Sequence, residues 1–241
     1  IHGRRYQEFE RDIIAREVSA LEKMGVRFEV NKVAGQLFTV NQLREEMGYD
    51  GVFIAVGAGY PTFLGIEGES ANQVYSANEF LTRINLMGAD KFPFDDTPVA
   101  LGNKVVVLGA GNTAMDCLRV SRRLGVETVH CVYRRTEAEA PARVEEIRHA
   151  KEEGVQFHFL RSPSKILTDE AGNVTGLLAE CMMLGEPDDS GRRRPVKIEG
   201  ETQLIQCDTV IYAMGTRANP IIPRTTKNLQ LNKWGYIVAD D

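Results

Sequence analysis

Two patterns in this chain can hold a phosphorylated ligand. The first is Gly109-Ala110-Gly111-Asn112-Thr113-Ala114, a G-x-G-x-x-A turn. It follows Val105-Val106-Val107-Leu108, an apolar run with three β-branched residues, as a buried parallel strand requires. After it, Ala114, Cys117, Leu118, Ser121 and Leu124 recur at helical spacing, and Gly125 stands where a helix closes in the left-handed conformation. In a strand–turn–helix of this kind the glycines have separate tasks. Gly109 permits the tight turn, Gly111 lets a pyrophosphate approach the backbone, and Ala114 lets the helix pack close to the strand. Unpaired N–H groups and the positive end of the helix dipole then face the phosphates, where Asn112 and Thr113 add side-chain hydrogen bonds.

The second pattern is Arg134-Arg135, directly after the strand-like Thr128–Tyr133. An acidic residue at the end of the second strand of such a unit usually holds the ribose 2′-hydroxyl of NAD. Arg134 lies 25 residues after Gly109, near that position, whereas Glu127 precedes the strand. Two guanidinium groups match a 2′-phosphate bidentately, so the expected cofactor is NADP(H).

The elements that position these residues read in order. Residues 8–24 are expected as a helix with Phe9, Ile13, Ile14, Val18 and Leu21 on one face, stopped by Gly25. Val26–Val30 alternates as a strand, 40–47 is a short helix, and Gly51–Gly59 reads as a buried strand entering a glycine turn. No long helix follows Gly59, so that turn is expected as a close backbone crossing at a hinge. Ala77–Met87 is a helix capped by Ser76, and Pro93 to Pro98 marks a boundary. Pro141 opens a helix near 142–153 with Val144 and Ile147 inward; Val155, Phe157 and Phe159 form a third strand, so 104–160 is βαβαβ. Strands near 164–168 and 174–184 flank a turn at Asp169–Asn173. Residues 185–195 are a polar loop whose Arg192-Arg193-Arg194 run is solvated. Strands follow near 196–199, 202–207 and 208–213, the last running into Met214-Gly215 at the mouth of a ligand cleft, and a final strand at Tyr236–Val238 ends the chain.

The 241 residues are 43% hydrophobic and 26% charged with net charge −5, an ordinary globular balance with no basic excess for nucleic acid. No apolar run approaches a membrane span. Cys117, Cys131, Cys181 and Cys207 form no C-x-x-C pair and read as buried, reduced thiols in a cytoplasmic protein. His2, His130, His149 and His158 read as structural or exposed; no metal site and no catalytic side chain is expected.

These stretches together resemble one family. Tyr49–Gly59, SANEFLTRINLM at 76–87, VVVLGAGNTAMD at 105–116, VYRR at 132–135, PAR at 141–143, HAKEEGVQF at 149–157 and DTVIYAMGTRANP at 208–220 are similar to the NADPH-dependent small (β) subunit of glutamate synthase. They are also similar to its relatives, the large subunit of a ferredoxin-linked NADPH transhydrogenase and the flavin half of dihydropyrimidine dehydrogenase. The resemblance implies an oxidoreductase with two interleaved dinucleotide-binding domains. Hydride passes from NADPH to FAD, and electrons leave through iron–sulfur centres to the large subunit of glutamate synthase or another electron-accepting subunit. It implies that Gly109, Gly111, Asn112 and Thr113 hold the pyrophosphate, that Arg134 and Arg135 hold the 2′-phosphate, that Gly215 lines the cleft, and that Val56-Gly57 crosses between domains. The family's cysteine-rich 4Fe–4S domain, its FAD glycine loop and its late Gly-Asp motif all fall outside Ile1–Asp241, so the chain reads as a central fragment and FAD belongs to the full-length protein.

The expected fold is therefore α/β: a Rossmann-like, three-layer NAD(P)-binding domain with an antiparallel β insertion, plus part of an interleaved FAD-binding domain. The expected division is 1–59 partial FAD-binding domain, 60–98 connector, 99–218 NADP(H)-binding domain and 219–241 return segment. Two other readings fit the same residues: an inactive NADP-binding assembly fragment, and a stand-alone NADP-dependent dehydrogenase, for which a Tyr-x-x-x-Lys relay is lacking. A homodimer is compatible with the sequence but not required by it.

Overall fold

A computed structural model describes residues 2–187 and 191–239. In chain order the elements are α1 (His2–Lys23), α2 (Val40–Glu45), β1 (Tyr60–Pro61), β2 (Val74–Ser76), α3 (Ala77–Asn85), β3 (Lys104–Leu108), α4 (Asn112–Arg123), β4 (Thr128–Tyr133), α5 (Val144–Glu152), β5 (Gln156–Phe159), β6 (Arg161–Thr168), β7 (Val174–Pro187), β8 (Arg193–Ile205), β9 (Thr209–Tyr212), β10 (Thr216–Arg217) and α6 (Ile221–Thr225). They divide into two units, 1–55 with 220–241, and 56–219.

The larger unit is built on a five-stranded parallel sheet ordered β2-β9-β3-β4-β5. Its central strand β3 has no solvent exposure from Val105 to Leu108. Buried on both faces, each of these side chains contributes roughly 1.5–3 kcal/mol. On one face Val105, Val107, Val129 and Cys131 pack against Phe80 of α3, Ala114, Met115 and Leu118 of α4, and Ile147 of α5. On the other, Val106, Leu108, Val132 and Val210 pack against Ile166, Leu177 and Ile205 of the antiparallel sheet β6-β7-β8. The result is three layers of α/β class: helices, parallel sheet, antiparallel sheet. Residues 60–98, expected as a connector, belong to this unit and supply its edge strand β2 and the helix α3.

Local signals set the helix ends. Gly125 closes α4 at φ +92, with its N–H on the Arg122 carbonyl and the Val126 N–H on that of Ser121, a Schellman stop. Gly25 and Gly154 end α1 and α5 by the same two bonds. The buried Ser121 hydroxyl donates to the Cys117 carbonyl one turn back. Ser76 caps α3 by accepting from the Glu79 N–H at 3.1 Å. Ser76→Ala should therefore cost about 1 kcal/mol and lower the Tm by about 2–4 °C, measured by circular dichroism.

Several expected elements differ. Val26–Val30 and Gly51–Gly59 are not strands: among the described residues no strand pairs with them, and Phe53 is 92% exposed. Alternation gives a strand a face, but hydrogen bonding to a neighbour makes it a strand. Tyr236–Val238 forms only an isolated bridge, Ile237 to Leu231. On α1 the side chains of Ile13, Ile14 and Leu21 are exposed, while those of Phe9 and His2 lie outside the described side chains. Val144 is 77% exposed rather than inward, since it opens α5; Ile147 one turn later is buried. The strands expected at 196–199 and 202–207 are one strand, β8, whose irregular pairing with β7 absorbs Gly200 at φ +77. The polar segment expected from 185 to 195 is shorter, because β7 runs to Pro187 and β8 starts at Arg193; residues 188–190 within it lie outside the described residues.

Candidate functional site

The sheet reverses its winding between β3 and β9, since β3 leads through α4 to β4 on one side and pairs with β9 on the other. Ligands bind at such switch points, outside the carboxyl ends of the strands. An open cleft of about 340 Å³ lies there. Of the expected site residues, Gly109, Gly111, Thr113, Arg134, Arg135 and Gly215 line it.

Gly109 is fixed by its neighbours. Its φ is +120, and a Cβ would fall 2.4 Å from the Ala213 carbonyl oxygen. That approach comes from the sheet itself, because the Ala213 N–H donates to the Leu108 carbonyl and the Gly109 N–H to that of Val132. Gly111 is different. It precedes α4 in an extended conformation at φ −86, and a Cβ there would meet only Pro141 Cγ, at 3.9 Å. Among the described residues none requires a glycine at 111; the bare backbone faces the cleft at a helix N-terminus.

Asn112 is not on the cleft wall. Its Oδ1 accepts from the Arg143 N–H at 3.0 Å, and the Ala142 N–H donates to the Ala110 carbonyl. Both bonds tie the segment after Pro141 to the glycine turn. Thr113 lines the cleft on the first turn of α4. Gly215, at φ +91, sits where β9 leaves the sheet, its carbonyl accepting from the Thr62 N–H beside the β1–β10 ribbon.

The two arginines diverge. Arg134 is exposed on the cleft wall. Arg135 is buried, 5% exposed, and its Nε donates to the Arg193 carbonyl at 2.8 Å. Arg193 in turn holds Glu139 through Nε and Nη2 at 2.9 and 2.6 Å. The Thr136 hydroxyl and then Arg193 hold the Glu139 carboxyl below its ordinary range, and the Tyr133 hydroxyl donates to the Glu139 carbonyl. So the run at Arg192–Arg194, expected as a solvated loop, is exposed as expected, but Arg193 is tied to Glu139 and Arg135 beside the site. Arg192 lines the cleft itself. Sequence reading also missed Asn78, which lines the cleft and donates to the Gly59 carbonyl at 2.8 Å, and Tyr212, which lines it from the end of β9. The signal for both was position: one follows a helix cap and the other ends a buried strand beside a glycine.

Two histidines read as unrelated are partners. His130 Nδ1 and His158 Nε2 lie 2.9 Å apart across β4 and β5. Burial, and then His158 and Lys104, lower the His130 pKa to about 4. Among the described residues no group of three or more His, Cys, Asp or Glu gathers to hold a metal. Cys117, Cys131 and Cys207 are buried, Cys181 is half-buried, and all four are free; burial pushes the Cys131 and Cys207 thiols up to about 12. Among the described residues no helix is long and apolar enough to cross a membrane.

The family model for pyridine nucleotide-disulphide oxidoreductases matches residues 4–241. The NADP(+)-dependent formate dehydrogenase subunit beta of Moorella thermoacetica is 41% identical over 95% of this chain and 31% of its own length. The glutamate synthase [NADPH] small chain of Escherichia coli is 34% identical over 97% of this chain and 50% of its own length. This chain thus spans 31% and 50% of the length of these two proteins. The FprA oxidoreductase of Mycobacterium tuberculosis, whose structure holds a modified NADP+, superposes with a TM-score of 0.69 at 22% identity over 87% of this chain and 58% of its own.

Proposed function

Because the chain belongs to the pyridine nucleotide-disulphide oxidoreductase family, we propose that its cleft is the NADPH site of a flavin-dependent oxidoreductase of the glutamate synthase small-subunit type. The observation that carries this reading is Gly111: a glycine that the fold does not need, set at a helix N-terminus in a cleft with Arg134 on its wall. In this reading Gly109, Gly111 and Thr113 receive the pyrophosphate and Asn112 fixes the loop beside it. Arg134 and Arg135 set the charge for a 2′-phosphate, and Gly215 lets the chain pass close to the cofactor. NADPH supplies the hydride when bound. The residues bind and orient; none is required as an acid or base, since a hydride step depends mainly on positioning and on the cofactor's own electronics.

The described residues hold one strand–glycine–helix cradle, which suits one dinucleotide. Gly57–Gly59 is followed by no such helix, so a second cradle for FAD is not found among them. The FAD, the 4Fe–4S centres and the electron-accepting partner subunit, which for a glutamate synthase would serve glutamate biosynthesis, are read from the family resemblance and belong to the whole protein. The cytoplasmic reading rests on the four free cysteines, three of them buried.

The test is Arg134→Ala. Arg135 is committed to the Arg193 main chain, so the single exposed arginine is the cleaner probe. NADPH affinity, by calorimetry, should fall at least tenfold, about 1.4 kcal/mol, with NADH affinity unchanged within a factor of two. Equal losses for both nucleotides would refute the 2′-phosphate assignment.

A further inference from the structure

Arg192 stands 83 residues after Gly109, outside the βαβαβ unit and on the antiparallel sheet's own hairpin. It nevertheless lines the cleft with Arg134 and Arg135, and it also lines the adjoining recess with Glu139 and Pro141. Its placement is built. The next residue, Arg193, is anchored twice: its guanidinium to the Glu139 carboxylate and its carbonyl to Arg135 Nε. Glu139 is itself fixed by Thr136, whose N–H and hydroxyl both donate to Oε2. A buried arginine costs desolvation, and the Arg135 Nε bond to the Arg193 carbonyl ties that buried group to the start of β8.

We propose that Arg192 is a specificity-determining residue that reads the cofactor's 2′-phosphate together with Arg134, and that Arg135 and Glu139 are positioning residues that seat it through Arg193. This rests on the NADPH reading of the cleft. A third guanidinium adds a planar, charge-assisted donor to a dianionic group. It comes from a different layer of the domain, so selectivity depends on the antiparallel insertion as well as on the nucleotide-binding half.

The test uses the full chain with NADPH, NADH, 2′,5′-ADP and 5′-AMP as ligands. Arg192→Ala should weaken NADPH and 2′,5′-ADP about tenfold and leave NADH and 5′-AMP within twofold. Arg192→Lys, which keeps the charge but loses the planar fork, should recover only part of the loss. Glu139→Gln should reproduce the selective loss with Arg192 intact, which a solvated arginine would not allow. If Arg134→Ala abolishes the NADPH preference while Arg192→Ala changes nothing, the proposal fails and the cleft reading stands. If the unmodified chain binds neither nicotinamide, or binds both equally, the cleft reading fails and takes the proposal with it.

Discussion

Gly111→Val should abolish NADPH binding in a protein that still folds. Residue 111 has φ −86, which any side chain adopts, and a Cβ there meets nothing closer than Pro141 Cγ at 3.9 Å. The cost to the fold is the change of cap residue, about 0.5–1 kcal/mol, or a Tm lower by about 2–4 °C. The cost to binding is larger. Valine's two methyl groups would occupy the cleft where a pyrophosphate must lie within hydrogen-bonding distance of backbone N–H groups. Losing two charge-assisted bonds of roughly 1.5–3 kcal/mol each gives more than about 100-fold in Kd. Calorimetric titration with NADPH, alongside a thermal melt of the same sample, separates the two costs. An affinity within threefold of the unmodified chain would mean the helix terminus does not receive the phosphates.

What was legible in the sequence was local. The β3 turn, the Ser76 cap and the Gly125 stop are decided within a few residues by backbone conformation and side-chain length, and each stands where its residue type required it. Arg134 was legible because its distance from the glycine turn is set by one helix and one strand. The unread features depend on partners far along the chain. Val26–Val30 and Gly51–Gly59 carry strand composition, but composition cannot supply the neighbouring backbone, and none is present among the described residues. His130 and His158 meet because two parallel strands lie side by side in a particular register, Val132 against His158. Arg192 lines the cleft next to the start of β8, where Glu139 holds Arg193 from 54 residues earlier in the chain; from spacing alone an arginine run in a polar segment reads as solvated. Arg135 was legible as a basic residue, but not as a buried one tied to that hairpin.

Gly109→Ala should have the opposite outcome from Gly111→Val: the fold fails first, and binding is lost with it. Here φ is +120, where L side chains are strained, and the new Cβ would stand 2.4 Å from the Ala213 oxygen and 3.0 Å from its carbonyl carbon. The clash is with backbone, so no rotamer relieves it. Moving Ala213 away would break its N–H bond to the Leu108 carbonyl, part of the ladder joining the two central strands. Moving residue 109 would break its bond to Val132 and the contact from the buried Cys131 thiol to its carbonyl. Backbone strain of about 1–3 kcal/mol and overpacking of about 1–3 kcal/mol sum to a large part of an ordinary domain's stability, about 5–15 kcal/mol. The Tm should fall by about 10 °C or more, and urea unfolding should shift to lower concentration with an unchanged slope. A Tm within about 3 °C of the unmodified chain would mean that β3 and β9 can separate at their carboxyl ends without loss. In that case Gly109 would stand there for the ligand alone, as proposed for Gly111, and the proposed division of work between fold and cofactor would fail.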